Sequence, residues 1–161
     1  MRTLVAILFS YAVWLLLTWT VNWQHLITGA AVSVLIGLIF GRAFVQDTGK
    51  LFQPRRWFWA LVYGWVFLWE MIKANFDVAY RVIHPRMPIK PGIVKVRTRI
   101  RSEMGRVFLA NSITLTPGTF TIDIKDDVLY IHWIYVRHTD LEKASESIVK
   151  PFESLLIKIF D

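Results

Sequence analysis

The sequence predicts an α+β membrane protein. An N-terminal transmembrane helical hairpin is followed by a third oblique or spanning helix and by a small C-terminal β-α-β-β-α ferredoxin-like cytoplasmic domain. Three observations predict this. The chain is 55% hydrophobic with a mean hydropathy of +0.42, above the roughly 45–50% apolar usage of soluble domains. Seven of its eight Trp fall in the first 70 residues, as expected where helices end at a membrane–water interface. The charge is uneven: residues 1–80 carry six Lys/Arg and three acids, and residues 81–161 carry thirteen and nine. The absence of Cys excludes disulfides, thiolate catalysis, Cys-zinc and iron–sulfur sites.

The hairpin occupies residues 1–45. "TLVAILFSYAVWLLLTWTV" (3–21) and "LITGAAVSVLIGLIFGRAF" (26–44) are apolar runs close to the ~20 residues a spanning helix needs, separated by "NWQH". "TWTVNWQ" offers no small-residue cleavage site, so the first run reads as a retained helix rather than a signal peptide. Gly29, Ala30, Ser33 and Gly37 share one helical face, a candidate surface for close helix packing in lipid. Residues 46–83 form a basic connector and the third helix. Arg42, Lys50, Arg55 and Arg56 flank one acid, which puts the connector and the N-terminus in the cytoplasm by the positive-inside rule. In the third segment the Trp-rich start gives way to Glu70, Lys73, Asp77 and Arg81, a charged stripe of helical period. Glu70, Lys73 and Asp77 are candidate ion-path residues if they lie inside lipid, and an interfacial stripe otherwise. Two spanning helices with an oblique third is the preferred topology; three spans with the N-terminus outside is the alternative.

Residues 84–91, "HPRMPIKP", form a Pro-rich linker that cannot continue a helix. The domain is 92–161. In "IVKVRTRIR" Val94, Val96, Thr98 and Ile100 alternate with Lys95, Arg97, Arg99 and Arg101, a half-buried strand with a basic outer face. Ser102 is placed to cap a helix over about 103–113. "TPGT" (116–119) sets Pro117 and Gly118 in a type II turn. "TFTIDIK" and "VLYIHWIYV" read as a hairpin turning at two Asp. Thr139 and Glu142 read as a capping box for a closing helix with an apolar stripe from Leu141 to Ile159, bent at Pro151.

Chemistry is hard to assemble from these residues. His25, His84, His132 and His138 lack metal-ligand spacing, and Asp123, Asp126 and Asp127 lack that of a calcium loop. The hydroxyls at 112, 114, 116, 119 and 121 have no base placed to activate them. The chain therefore reads as non-enzymatic, without cofactor or metal. The basic residues of 81–101, with no acid between Asp77 and Glu103, fit anionic lipid headgroups. Nucleic acid is not expected, because interleaved aromatics for base stacking are missing.

At "NSITLTPGT", continued by "FTIDIKDDVLYIHWI" and preceded by "EMIKANFDVAYRVI", the chain resembles the E-type subunit of the Mrp-type (Mnh/Pha) multisubunit Na+/H+ antiporters. That family includes related subunits of membrane-bound hydrogenase complexes. The resemblance covers essentially the whole length. It implies an accessory or assembly role in the inner cell membrane, partnered by large complex-I-like subunits that carry the ions and by small membrane subunits. The motif residues Asn111, Ser112, Thr114, Thr116, Pro117, Gly118 and Thr119 are expected to form a structural turn or a docking surface. The alternatives are the equivalent membrane-arm component of a proton- or sodium-pumping hydrogenase-type respiratory complex, and a membrane-tethered lipid- or RNA-binding protein.

Overall fold

The computed structural model describes residues 2–20, 22–44 and 53–161, with the side chains of 2 and 42–44 excepted. Arg42 and Lys50 of the connector lie outside that description. The chain forms two compact units, residues 1–53 and 54–161.

The first unit is a hairpin of α1 (Arg2–Thr18) and α2 (Trp23–Phe44). The first apolar run stops being helical earlier than expected. Trp19 takes a left-handed φ of 48° and the Thr18 hydroxyl turns back to donate to the Trp14 carbonyl at 2.9 Å. Asn22 then opens α2, its side chain accepting from the Gln24 amide. The first helix therefore ends at Thr18 and the second already begins at Trp23, within "NWQH". One helix among the described residues, over Trp23–Gly41, is long and apolar enough to cross a membrane; the apolar part of α1, Thr3–Thr18, is shorter. At 1.5 Å per residue the 17 residues of α1 rise about 25 Å, short of a ~30 Å hydrocarbon core.

Small residues join the two helices. A Cβ at Gly29 would stand 2.3 Å from the Trp14 ring, one at Gly37 2.3 Å from Ile7 Cγ1, and one at Gly41 3.0 Å from the Thr3 Cα. Ser33, between them, is fully buried. The packing stripe thus runs 29–33–37–41, every fourth residue, and Ala30 faces outward.

The second unit contains α3 (Pro54–Ile83), β1 (Gly92–Arg97), α4 (Glu103–Leu115), β2 (Thr119–Lys125), β3 (Val128–Trp133), α5 (Leu141–Ile148) and α6 (Lys150–Phe160). The sheet order is β1-β3-β2 with both pairings antiparallel. β1 and β2 therefore run parallel on either side of β3, the split βαβ arrangement of ferredoxin-like folds. Val94, Val96, Leu129 and Ile131 from the sheet meet Leu109, Ile113, Ile148, Phe152 and Leu156 in one core. The predicted alternation holds past the end of β1: Val94, Val96, Thr98 and Ile100 are buried, and the four cations between and after them are exposed.

Two details differ from expectation. Asp140, not Thr139, caps α5, its carboxylate accepting from the amides of Glu142 and Lys143 at 3.1 Å. A carboxylate suits the positive helix start as well as a hydroxyl does. The closing segment is two helices that break at Val149, with Pro151 in the first turn of α6, where its missing N–H costs nothing. α3 belongs to the same compact unit as the sheet.

An unpaired sheet edge exposes amides that invite another strand. From Arg97 onward these amides recur every second residue, and side chains of the closing segment take them. The amide of Arg97 donates to Ser145 Oγ at 2.8 Å, that of Arg99 to Glu153 Oε1 at 2.6 Å, and that of Arg101 to Asp161 Oδ2 at 3.1 Å. Acceptors eight residues apart on the closing helices thus serve donors two apart on extended chain, where a fourth strand would add.

Candidate functional site

The motif residues span the last turn of α4, the turn after it and the start of β2. The last carbonyls of a helix have no intrahelical partner, and here threonines supply one. Thr116 Oγ1 lies 2.8 Å from the Ile113 carbonyl and 3.1 Å from that of Ser112, and Thr119 Oγ1 lies 2.6 Å from the Ile113 carbonyl. The Thr119 amide closes the turn onto Thr116. Between them Gly118 has a φ of +92°, as the third position of a type II turn requires. A Cβ there would also stand 3.0 Å from Ile134 and 3.4 Å from Val78 of α3. On the β2 edge the Thr121 amide donates to Thr114 Oγ1 at 3.2 Å, the same device, used once, as along β1. Buried Ser112 donates to the Phe108 carbonyl at 2.6 Å and bonds the hydroxyl of Tyr63 on α3.

The Ser and Thr hydroxyls are therefore committed to local structure. Asn111 differs: it is exposed, and with Thr114, Phe120, Ile122 and Asp123 it lines an open surface groove between α4 and β2. Phe120 and Ile122 in its lining are 55% and 49% exposed.

One face of α3 is fastened to the domain along its length. Near its start Arg56 donates to the Ile159 carbonyl and Lys158 sits 3.7 Å from the centre of the Trp59 ring. Tyr63 and Phe67 pack on Phe152 at 6.5 and 6.3 Å. Near its end Arg81 is buried. It pairs with Asp77 at 2.8 and 3.0 Å, donates to the Pro88 carbonyl at 2.6 Å and stacks on Tyr135 at 4.2 Å. The hydrogen bond to Asp77 holds the Arg81 pKa above its ordinary value. Arg137 approaches the same carboxylate at 3.6 Å.

The charged stripe is thereby divided between two jobs. Glu70 and Lys73 form a 2.6 Å pair at the surface, while Asp77 and Arg81 clamp the end of α3 to the segment after β3. Glu70 and Lys73 pair with each other, while Asp77 is engaged instead by Arg81 and Arg137. The basic stretch is likewise partly spent: Arg81 is buried, Arg97 meets Asp127 at 3.2 Å, and Arg99 meets the buried Glu153 at 3.2 Å. No group of three or more His, Asp or Glu gathers to hold a metal among the described residues. Sequence reasoning missed Tyr63, Tyr135, Arg137 and Glu153. A signal existed for the first, since residues 63, 67, 70, 74, 77 and 81 recur at spacings of four and three and so share one helical face.

The profile of the Na+/H+ ion antiporter subunit family matches residues 7–159. The chain belongs to that family. Among its relatives, the E-type Na+/H+ antiporter subunit of Alkalihalophilus pseudofirmus is 35% identical over 147 residues, covering 86% of this chain and 89% of the relative. The E-type antiporter subunit of Bacillus subtilis is 32% identical over 136 residues, covering 81% and 85%. Among solved structures, a chain of the membrane-bound sulfane sulfur reductase, an archaeal respiratory membrane complex, superposes with a TM-score of 0.86 at 44% identity, over 99% of both chains.

Proposed function

We propose that the chain is the E-type, non-catalytic assembly subunit of a multisubunit Na+ (monovalent cation)/H+ antiporter complex in the inner cell membrane. It is a multi-pass protein with its α/β domain on the cytoplasmic side. The observation that carries this reading is the family match, which runs through both units from residue 7 to residue 159. The site agrees with it: hydroxyls are consumed as caps and edge closures, and the charges of α3 are engaged in local pairs. Ion movement then falls to large complex-I-like partner subunits. The groove beside Asn111, Phe120 and Ile122 is the surface we assign to one of those partners, because it joins a free amide to exposed apolar side chains.

Affinity purification of the tagged full-length chain from gently solubilised native membranes tests this. Long polytopic antiporter-like chains and small membrane subunits should co-purify in fixed ratio. A chain recovered alone, or one that exchanges Na+ for H+ in liposomes unaided, would contradict the reading. A second reading, the equivalent component of a respiratory complex, is favoured by the 44% identity to the sulfane sulfur reductase chain. Redox subunits in the same purification would establish it.

A further inference from the structure

The face of α3 opposite the domain is a continuous apolar surface. At 100° per residue, Trp57, Leu61, Trp65, Leu68, Phe76 and Ile83 fall within an arc of roughly 140°, joined by Phe58, Trp69, Ile72 and Tyr80. Their exposures run from 38% at Ile72 to 81% at Ile83. Asn75, at the margin of the arc, turns its amide back onto the Met71 carbonyl at 2.8 Å. Arg55 and Lys73 border its other margin, and both are exposed. The inner face is occupied from Arg56 to Arg81 by contacts with the α/β domain. A helix sheathed along one side by a folded α/β domain has no bare length left over with which to cross a bilayer.

We propose that α3 lies in the plane of the membrane surface, with this aromatic arc buried in the headgroup–acyl boundary of the phospholipid bilayer and the α/β domain riding above it. Two observations favour lipid as the occupant. Most of the arc's large residues are Trp, Phe or Tyr, and aromatic side chains of this kind settle at that boundary. The cations at its margin, Arg55 and Lys73, the latter also paired with Glu70, are placed to meet phosphate groups, as on other in-plane helices.

The chain has no native Cys, which permits a direct test. Spin labels are placed on full-length Leu61→Cys, Leu68→Cys and Phe76→Cys variants in vesicles of phosphatidylethanolamine and phosphatidylglycerol, with Lys95→Cys on the sheet as the aqueous reference. Oxygen and a water-soluble nickel chelate report burial depth. The three arc labels should lose collisions with the chelate relative to Lys95→Cys and share one depth, about 5–10 Å below the headgroups. A depth that steps by about 22 Å between positions 61 and 76, the rise of fifteen helical residues, would mean that α3 crosses the bilayer. Labels open to the chelate would mean a surface reserved for protein. Either result overturns the proposal. Circular dichroism checks folding, and Trp65→Cys and Ile72→Cys supply the same reading if a first variant unfolds.

Discussion

The two units of this chain solve helix packing in opposite ways. In the α1–α2 hairpin the contact is made by what is missing: Gly29, Gly37 and Gly41 leave room for Trp14, Ile7 and Thr3. Lipid provides no hydrophobic drive to bring helices together, so close approach and van der Waals contact must do it. In the unit from Pro54 onward the contact is made by what is added. Large side chains fill a core of Leu129, Ile131, Leu109 and Phe152, and polar side chains take every strand-edge amide from Arg97 to Arg101 that points outward. On the proposed reading, with the hairpin in lipid and the domain in water, the difference follows the solvent. A domain in water gains from burying bulk, then must satisfy the backbone groups it buries with it.

Removing atoms should therefore hurt one unit and adding them the other. Leu129→Ala, in the middle of the sheet, should destabilise the domain by about 2–5 kcal/mol, read by urea denaturation of the full chain in mild detergent. Glu153→Ala should cost about 1.5–3 kcal/mol, because it removes a charged acceptor from the Thr98 hydroxyl and the Arg99 amide. Gly37→Leu should cost the hairpin about 1–3 kcal/mol by overpacking while leaving the urea curve of the domain in place. Its readout is a cross-link. The Cβ of residue 41 would lie 3.6 Å from that of Thr3, within disulfide range, so Thr3→Cys with Gly41→Cys should oxidise readily and Gly37→Leu should suppress it. Thr114→Val should cost only about 0.5–1.5 kcal/mol, seen as faster hydrogen exchange at the Thr121 amide. A Thr114→Val variant with unchanged exchange would show that the β2 edge is closed by other means.

Much of this was legible in the residues because it is local. The alternation from Val94 to Arg101, the Ser102 cap and the Pro117–Gly118 turn are each decided within a few positions of chain. The small-residue stripe of α2 was legible as a face, though only the packed hairpin separates buried Ser33 from outward Ala30. What was hidden depends on distant chain. Nothing near Arg99 announces an acceptor 54 residues away at Glu153, and nothing near Ser112 points to Tyr63, 49 residues before it. The charged stripe of α3 shows the same limit. Its periodicity is real, but periodicity cannot say that Asp77 and Arg81 engage Arg137, Pro88 and Tyr135 while Glu70 pairs with Lys73. The motif was conspicuous, yet its division into committed hydroxyls and one free amide requires the hydrogen bonds themselves.

Asn111→Ala is the smallest perturbation of the fold and the sharpest of the function. Its amide makes no hydrogen bond within the described residues, so the domain should melt unchanged. Blue-native electrophoresis of membranes from cells carrying Asn111→Ala, with Na+-driven proton exchange measured per assembled complex, should show less complex with each complex transporting normally. Undiminished complex whose transport is lost would contradict an assembly role and assign ion movement itself in part to this protein.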